Sequence, residues 1–209
     1  MFQDQYSKLN LTDTEKSLGV FNPLFDGSPF PTTAIIMRRP LAFYPAHWFY
    51  DVADHQTMPP RRRYVIVQQN EATDAPQNIT ILDGSPQTIL TLNNTVPLVL
   101  NDKTITEYIQ FYLAFTRGPE GRMVLVESLD DIPWRDDPSP AARKALGKMI
   151  AAIEPTGSVN GNYHTKAQVI FSDGLYEIDI HVAKNGDITF QDPKMLIEDM
   201  PVLDDVLGP

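Results

Sequence analysis

KAQVIFSDGLYEIDIHVAKNGDITFQ, residues 166–191, is the stretch on which the reading of the fold turns, because its strand pairing can be followed residue by residue. Tyr176, Ile178, Ile180 and Val182 alternate with Glu177, Asp179 and His181, so one face of the strand is apolar and the other wet. A two-residue turn at Asp173 and Gly174 predicts Phe171 opposite Tyr176, Val169 opposite Ile178 and Ala167 opposite Ile180, with both strands burying one face. A slip of one residue would set Val169 against Glu177. Beyond Val182, a two-residue loop at Asn185 and Gly186 would throw Ile188 and Phe190 onto the polar side. A three-residue loop with Gly186 left-handed in a bulge instead places Ile188 opposite Val182 and Phe190 opposite Ile180. The expectation is a three-stranded meander over 166–191 whose open face carries Lys166, Gln168, Glu177, Asp179, His181, Thr189 and Gln191.

Outward from the meander, Ser139 and Pro140 predict a helix over 140–153 with Leu146, Met149, Ile150 and Ile153 as its apolar stripe. The aspartate- and proline-rich segment 129–140 before it reads as a linker and a sub-boundary. Met123 to Val126 suit a central strand within 122–127. A second principal helix is expected over about 103–115, capped by Asp102, because Ile105, Tyr108, Ile109, Tyr112 and Leu113 recur at helical spacing. Short strands are predicted at 33–37, 64–68, 78–82, 88–92 and 96–100, and a helix between Pro45 and Pro59. Residues 1–31 read as an irregular arm with one short helix after the capping box of Thr12 and Glu15. Its Phe21, Leu24, Phe25 and Phe30 pack on the domain or on a partner. Asp192 and Pro193 predict a short helix through Met200, followed by an acidic, apolar tail at 201–209. The fold class is α+β with mostly antiparallel sheets, residues 32–200 forming a single domain.

Composition narrows the function classes. With 209 residues, 42% of them hydrophobic, the chain can bury a core. Its apolar runs are shorter than a bilayer span and the N-terminal residues show no basic-then-apolar leader pattern. A soluble, cytoplasmic protein without membrane contact is expected. The chain has no cysteine, which removes thiolate nucleophiles and cysteine-held zinc. A net charge of −10 argues against nucleic-acid binding, which needs a basic surface. Arg61, Arg62 and Arg63, with Arg38 and Arg39, are expected to balance neighbouring carboxylates. Asp-Gly-Ser-Pro recurs at 26–29 and 83–86 as a turn, without the flanking glycines of a nucleophile elbow. The glycines at 157 and 161 lack a P-loop lysine and serine. No cofactor is expected.

Two groups of side chains can carry chemistry. On a helix between Pro45 and Pro59, His47, Asp51, Asp54 and His55 share a face, and imidazoles and carboxylates four residues apart suit zinc or iron. Glu177, Asp179 and His181 share the open face of the meander, close enough for a carboxylate to orient an imidazole. An ordinary polar sheet face looks the same. The sequence therefore favours a non-catalytic binding or assembly module, engaging a protein partner or a second copy. The alternative is a metal-dependent enzyme in which His47, Asp51 and His55 join His181 as ligands.

Overall fold

The computed structural model describes residues 6–69, 76–119, 121–155 and 157–203. Residues 1–5 of the arm and 204–209 of the tail lie outside the described residues. The fold is α+β, with two antiparallel five-stranded sheets, and the chain divides into two compact units, residues 1–83 and 84–208.

In the first unit, strands β1 (Ser7–Lys8), β2 (Ile35–Pro40), β3 (His47–Asp54), β4 (Arg61–Gln69) and β5 (Pro76–Leu82) pair in sequence order. The Asn10 side chain accepts from the Asp13 amide and starts helix α1, Leu11–Phe21, two residues earlier than the Thr12 box implies. Leu18 and Phe21 of this helix, with Phe25 and Phe30 beyond it, join Ile36, Tyr50, Val52, Val65 and Val67 in one core. The aromatic arm is thus part of its own unit: Phe21 meets Tyr50 and Phe25 meets Phe30, each at 5.4 Å between ring centres.

The helix expected after Pro45 is instead strand β3. Both of its faces are apolar and buried, with Tyr50 and Val52 on one side and Phe49 and Ala53 on the other, so the alternation that marks a one-sided strand is hidden. Aromatic and β-branched residues then favour the strand, and full pairing with β2 and β4 supplies its backbone partners.

In the second unit the Ser85 side chain accepts from the Gln87 amide and Pro86 sits in the first turn, giving helix α2, Pro86–Thr95. Residues 88–92, expected as a strand, therefore lie in a helix that buries Ile89 and Leu92 three residues apart. No strand forms at 96–100. Helix α3, Ile105–Phe115, starts from Thr104 rather than Asp102 and buries Ile105, Tyr108, Ile109, Phe111, Tyr112 and Leu113. The strand expected at 122–127 is reduced to β6, Val124–Leu125.

Helix α4 covers only Pro140–Leu146, half of the expected 140–153. Its continuation is unwound because the Gln168 side chain donates to the Met149 carbonyl at 2.8 Å and accepts from the Ala151 amide at 3.4 Å. Those backbone groups are held at the sheet instead of by a further helical turn.

Four more strands follow: β7 (Ser158–Val159), β8 (Asn162–Phe171), β9 (Gly174–Val182) and β10 (Ile188–Ile197). The sheet order is β10-β9-β8-β6, and β7 pairs with the start of β8. The second turn is as expected: Ile188 faces Val182, Phe190 faces Ile180, and Gly186 is left-handed at φ 81. The first turn is corrected. It lies at Ser172 and Asp173, so Phe171 pairs with Gly174, Val169 with Tyr176 and Ala167 with Ile178. That shift is two residues, an even number, so every side chain keeps its predicted face. A Cβ at Gly174 would stand 2.7 Å from the Tyr176 ring, which explains why the glycine sits in the strand beneath that ring rather than in the turn.

The meander also extends at both ends. Past Gln191 the strand resumes after a bulge, with Lys194 opposite Glu177 and Met195 opposite Tyr176, where a helix was expected. Asp192 adopts φ 48 at this bulge, and Pro193 is tolerated because β10 ends the strand order.

Candidate functional site

The polar face of the second sheet is built by β8 and β9 in strict register. His164 stands opposite His181, Lys166 opposite Asp179 and Gln168 opposite Glu177, and Thr189 and Gln191 of β10 continue the rows beside His181 and Asp179. Glu177, Asp179 and His181 do share one face. The face is closed at one end, where Ile170 and Leu175 enter a small core with Val126, Ile132, Met200 and Val202. Gln168 is buried by its hold on residues 149–151. What remains open is a patch of His164, Lys166, Glu177, Asp179 and His181, flanked by the exposed Thr189 and Gln191 of β10.

Within the patch the two imidazole rings lie 4.3 Å apart between centres, with planes inclined by 41°. Asp179 divides its oxygens: Oδ2 is 3.7 Å from His164 Nε2 and Oδ1 is 3.8 Å from Lys166 Nζ. The same ammonium is 3.7 Å from Glu177 Oε1. The Lys166 side chain is 64% exposed and that of Asp179 21%, so these contacts are water-screened and each contributes little stability.

His164 was missed by the sequence reading, which began the strand at Lys166. The parity that groups Lys166 and Gln168 extends back two residues to His164 and would have found it.

The other predicted group is dispersed by the strand that replaces its helix. His47 and Asp51 sit on one face of β3, four residues and thus roughly 13 Å apart along the strand, while Asp54 points to the opposite face and His55 lies beyond the strand end. His47 is 2% exposed, and its Nδ1 is 2.8 Å from the Pro45 carbonyl. Asp51 accepts from Arg62 at 3.0 Å. Burial pushes the Asp51 carboxyl above its ordinary range, against the lowering by Arg62 and His55. Its Oδ1 is buried with no hydrogen-bond partner among the described residues. Asp54 accepts from the Gln56 amide and lies 4.0 Å from Arg61.

The arginines are engaged by the first unit. Arg61 donates to the Ser28 and Pro29 carbonyls and lies 4.0 Å over the Phe30 ring. Arg62 pairs with Asp51, and Arg38 sits over Trp48 at 4.8 Å.

Among the described residues, no group of three or more His, Cys, Asp or Glu side chains is arranged to hold a metal ion. No helix of the described residues is long and apolar enough to cross a membrane. Compared with protein-family models, curated proteins and solved structures, the chain matches none.

Proposed function

We propose that the chain is a non-catalytic assembly module whose partner is a second copy of itself, docked through the open patch of the second sheet. The observation that carries this reading is the sign pattern of that patch. Lys166 lies between Glu177 and Asp179, and a two-fold interface is self-complementary, so one that pairs charges must carry both signs on a single surface. Two copies related by such an axis set each ammonium on the other's carboxylates. The competing reading, a metal-dependent enzyme, draws on the His164 and His181 pair. The Lys166 side chain is exposed while Glu177 and Asp179 are half-buried, and an open ammonium beside both carboxylates weighs against that reading, since catalytic groups act in sites that exclude water.

Sedimentation of untagged protein across a range of concentrations tests the proposal. A monomer–dimer equilibrium is expected that weakens in high salt and is abolished by Lys166→Glu. It should return in part when Lys166→Glu is combined with Glu177→Lys. A wild-type chain that stays monomeric to its solubility limit overturns the proposal. So does binding of the patch to a different protein that excludes the second copy.

A further inference from the structure

We infer that His164 and His181 form a binding site for a single divalent transition-metal ion of the zinc class. The inference does not rest on self-assembly, and the two fail separately, one by sedimentation and the other by calorimetry. The site rests first on register. His164 and His181 are directly opposed on adjacent strands, so the backbone holds both imidazoles over one point without the ordering cost that two mobile loops would bring. Their ring centres are 4.3 Å apart. Two imidazoles bound to one tetrahedral zinc through nitrogens at about 2.0 to 2.1 Å have ring centres about 5 Å apart. Small rotations of two partly exposed side chains reach that arrangement.

Ligand chemistry selects the ion. Two neutral imidazoles suit zinc, nickel or copper(II), and are poor donors for magnesium or calcium, which take oxygen. Asp179 supplies the charge that a cation needs nearby. Its Oδ2 lies 3.7 Å from His164 Nε2, within ion-pair reach of the imidazole pair. No third protein donor converges on the pair among the described residues, so water would complete the coordination. Lys166 opposes the ion, because its ammonium is 3.8 Å from the same carboxylate. A site with two ligands and a neighbouring cation holds zinc weakly.

The experiment is titration of zinc chloride into chelator-stripped, untagged full-length protein, by calorimetry at pH 7.5, with histidine ring signals followed by NMR. The chain has four histidines, which makes the NMR decisive: the His164 and His181 signals shift together while His47 and His55 stay in place. One ion per chain is expected. His164→Gln and His181→Gln each weaken binding at least tenfold, and Asp179→Asn weakens it severalfold. Lys166→Met tightens it severalfold, an effect that loss of folding cannot imitate. Absence of saturable binding below millimolar zinc overturns the inference. Binding that survives both glutamine substitutions, or that shifts His47 or His55 instead, overturns it equally.

Discussion

A methyl group at Gly186 would have nowhere to go. Its Cβ would stand 2.4 Å from the Asn93 amide nitrogen, 2.6 Å from the Tyr108 hydroxyl and 2.8 Å from Leu98. The Tyr108 hydroxyl donates to the Gly186 carbonyl at 2.6 Å and accepts from Asn93 at 2.8 Å, so the turn is clamped where the backbone is also left-handed. Gly186→Ala is expected to cost about 2 to 4 kcal/mol from strain and overpacking together, read as a lower urea midpoint with unchanged slope. Asp51 carries a different signature. Burial raises its folded carboxyl above the ordinary 3.8, so between those two values the folded chain holds a proton that the unfolded chain has released. Stability from this group is therefore highest at low pH, falls as pH rises through that window, and is level above it. Urea midpoints measured from pH 4 to pH 7 should fall less in Asp51→Asn than in the wild type. An identical pH profile in the two proteins would remove Asp51 as the cause.

At the scale of elements, the meander was legible because its apolar side chains alternate with polar ones, and that alternation fixes faces even when the register shifts by two residues. The Gly186 loop was legible for the same reason. Residues 47–54 were not, since Trp48, Phe49, Tyr50 and Val52 leave no polar face to set the period, and Pro45 opens a helix as readily as a loop. Ser85 and Pro86 read from sequence as part of a turn, and the run of Ile89, Leu90 and Leu92 is too short for periodicity to separate helix from strand. The candidate site was half legible: Glu177, Asp179 and His181 follow from parity, whereas the opposing His164 required knowing where β8 begins. The early end of α4 depends on a contact across seventeen or more positions, from Gln168 back to Met149 and Ala151, and nothing local encodes it. Gln168→Leu leaves that carbonyl and amide unpaired and is expected to destabilise by about 1 to 3 kcal/mol. Faster hydrogen exchange at the Ala151 amide would locate the effect, and unchanged exchange there would refute this account of where α4 stops.

For the molecule as a whole, each unit has its own buried core and each contains one of the two tryptophans. Trp48 packs against the first core, and Trp134 in the second donates to the Leu129 carbonyl at 3.2 Å. Trp48→Phe and Trp134→Phe therefore leave single reporters, and their fluorescence unfolding curves are expected to have distinct midpoints. Superimposed curves from the two variants, each as stable as the wild type, would show one cooperative unit instead. The kink at Asp192 and Pro193 bears on growth of the molecule in solution. A ten-residue outer strand with every amide aligned would invite copies to add without limit, end after end. Here proline removes one donor and the left-handed aspartate breaks the row beside it, so the rim of the sheet is a poor template for fibrils. A contact through a face about a two-fold axis, as proposed for the open patch, would by contrast close at two copies, and concentration would change the fraction paired without lengthening anything.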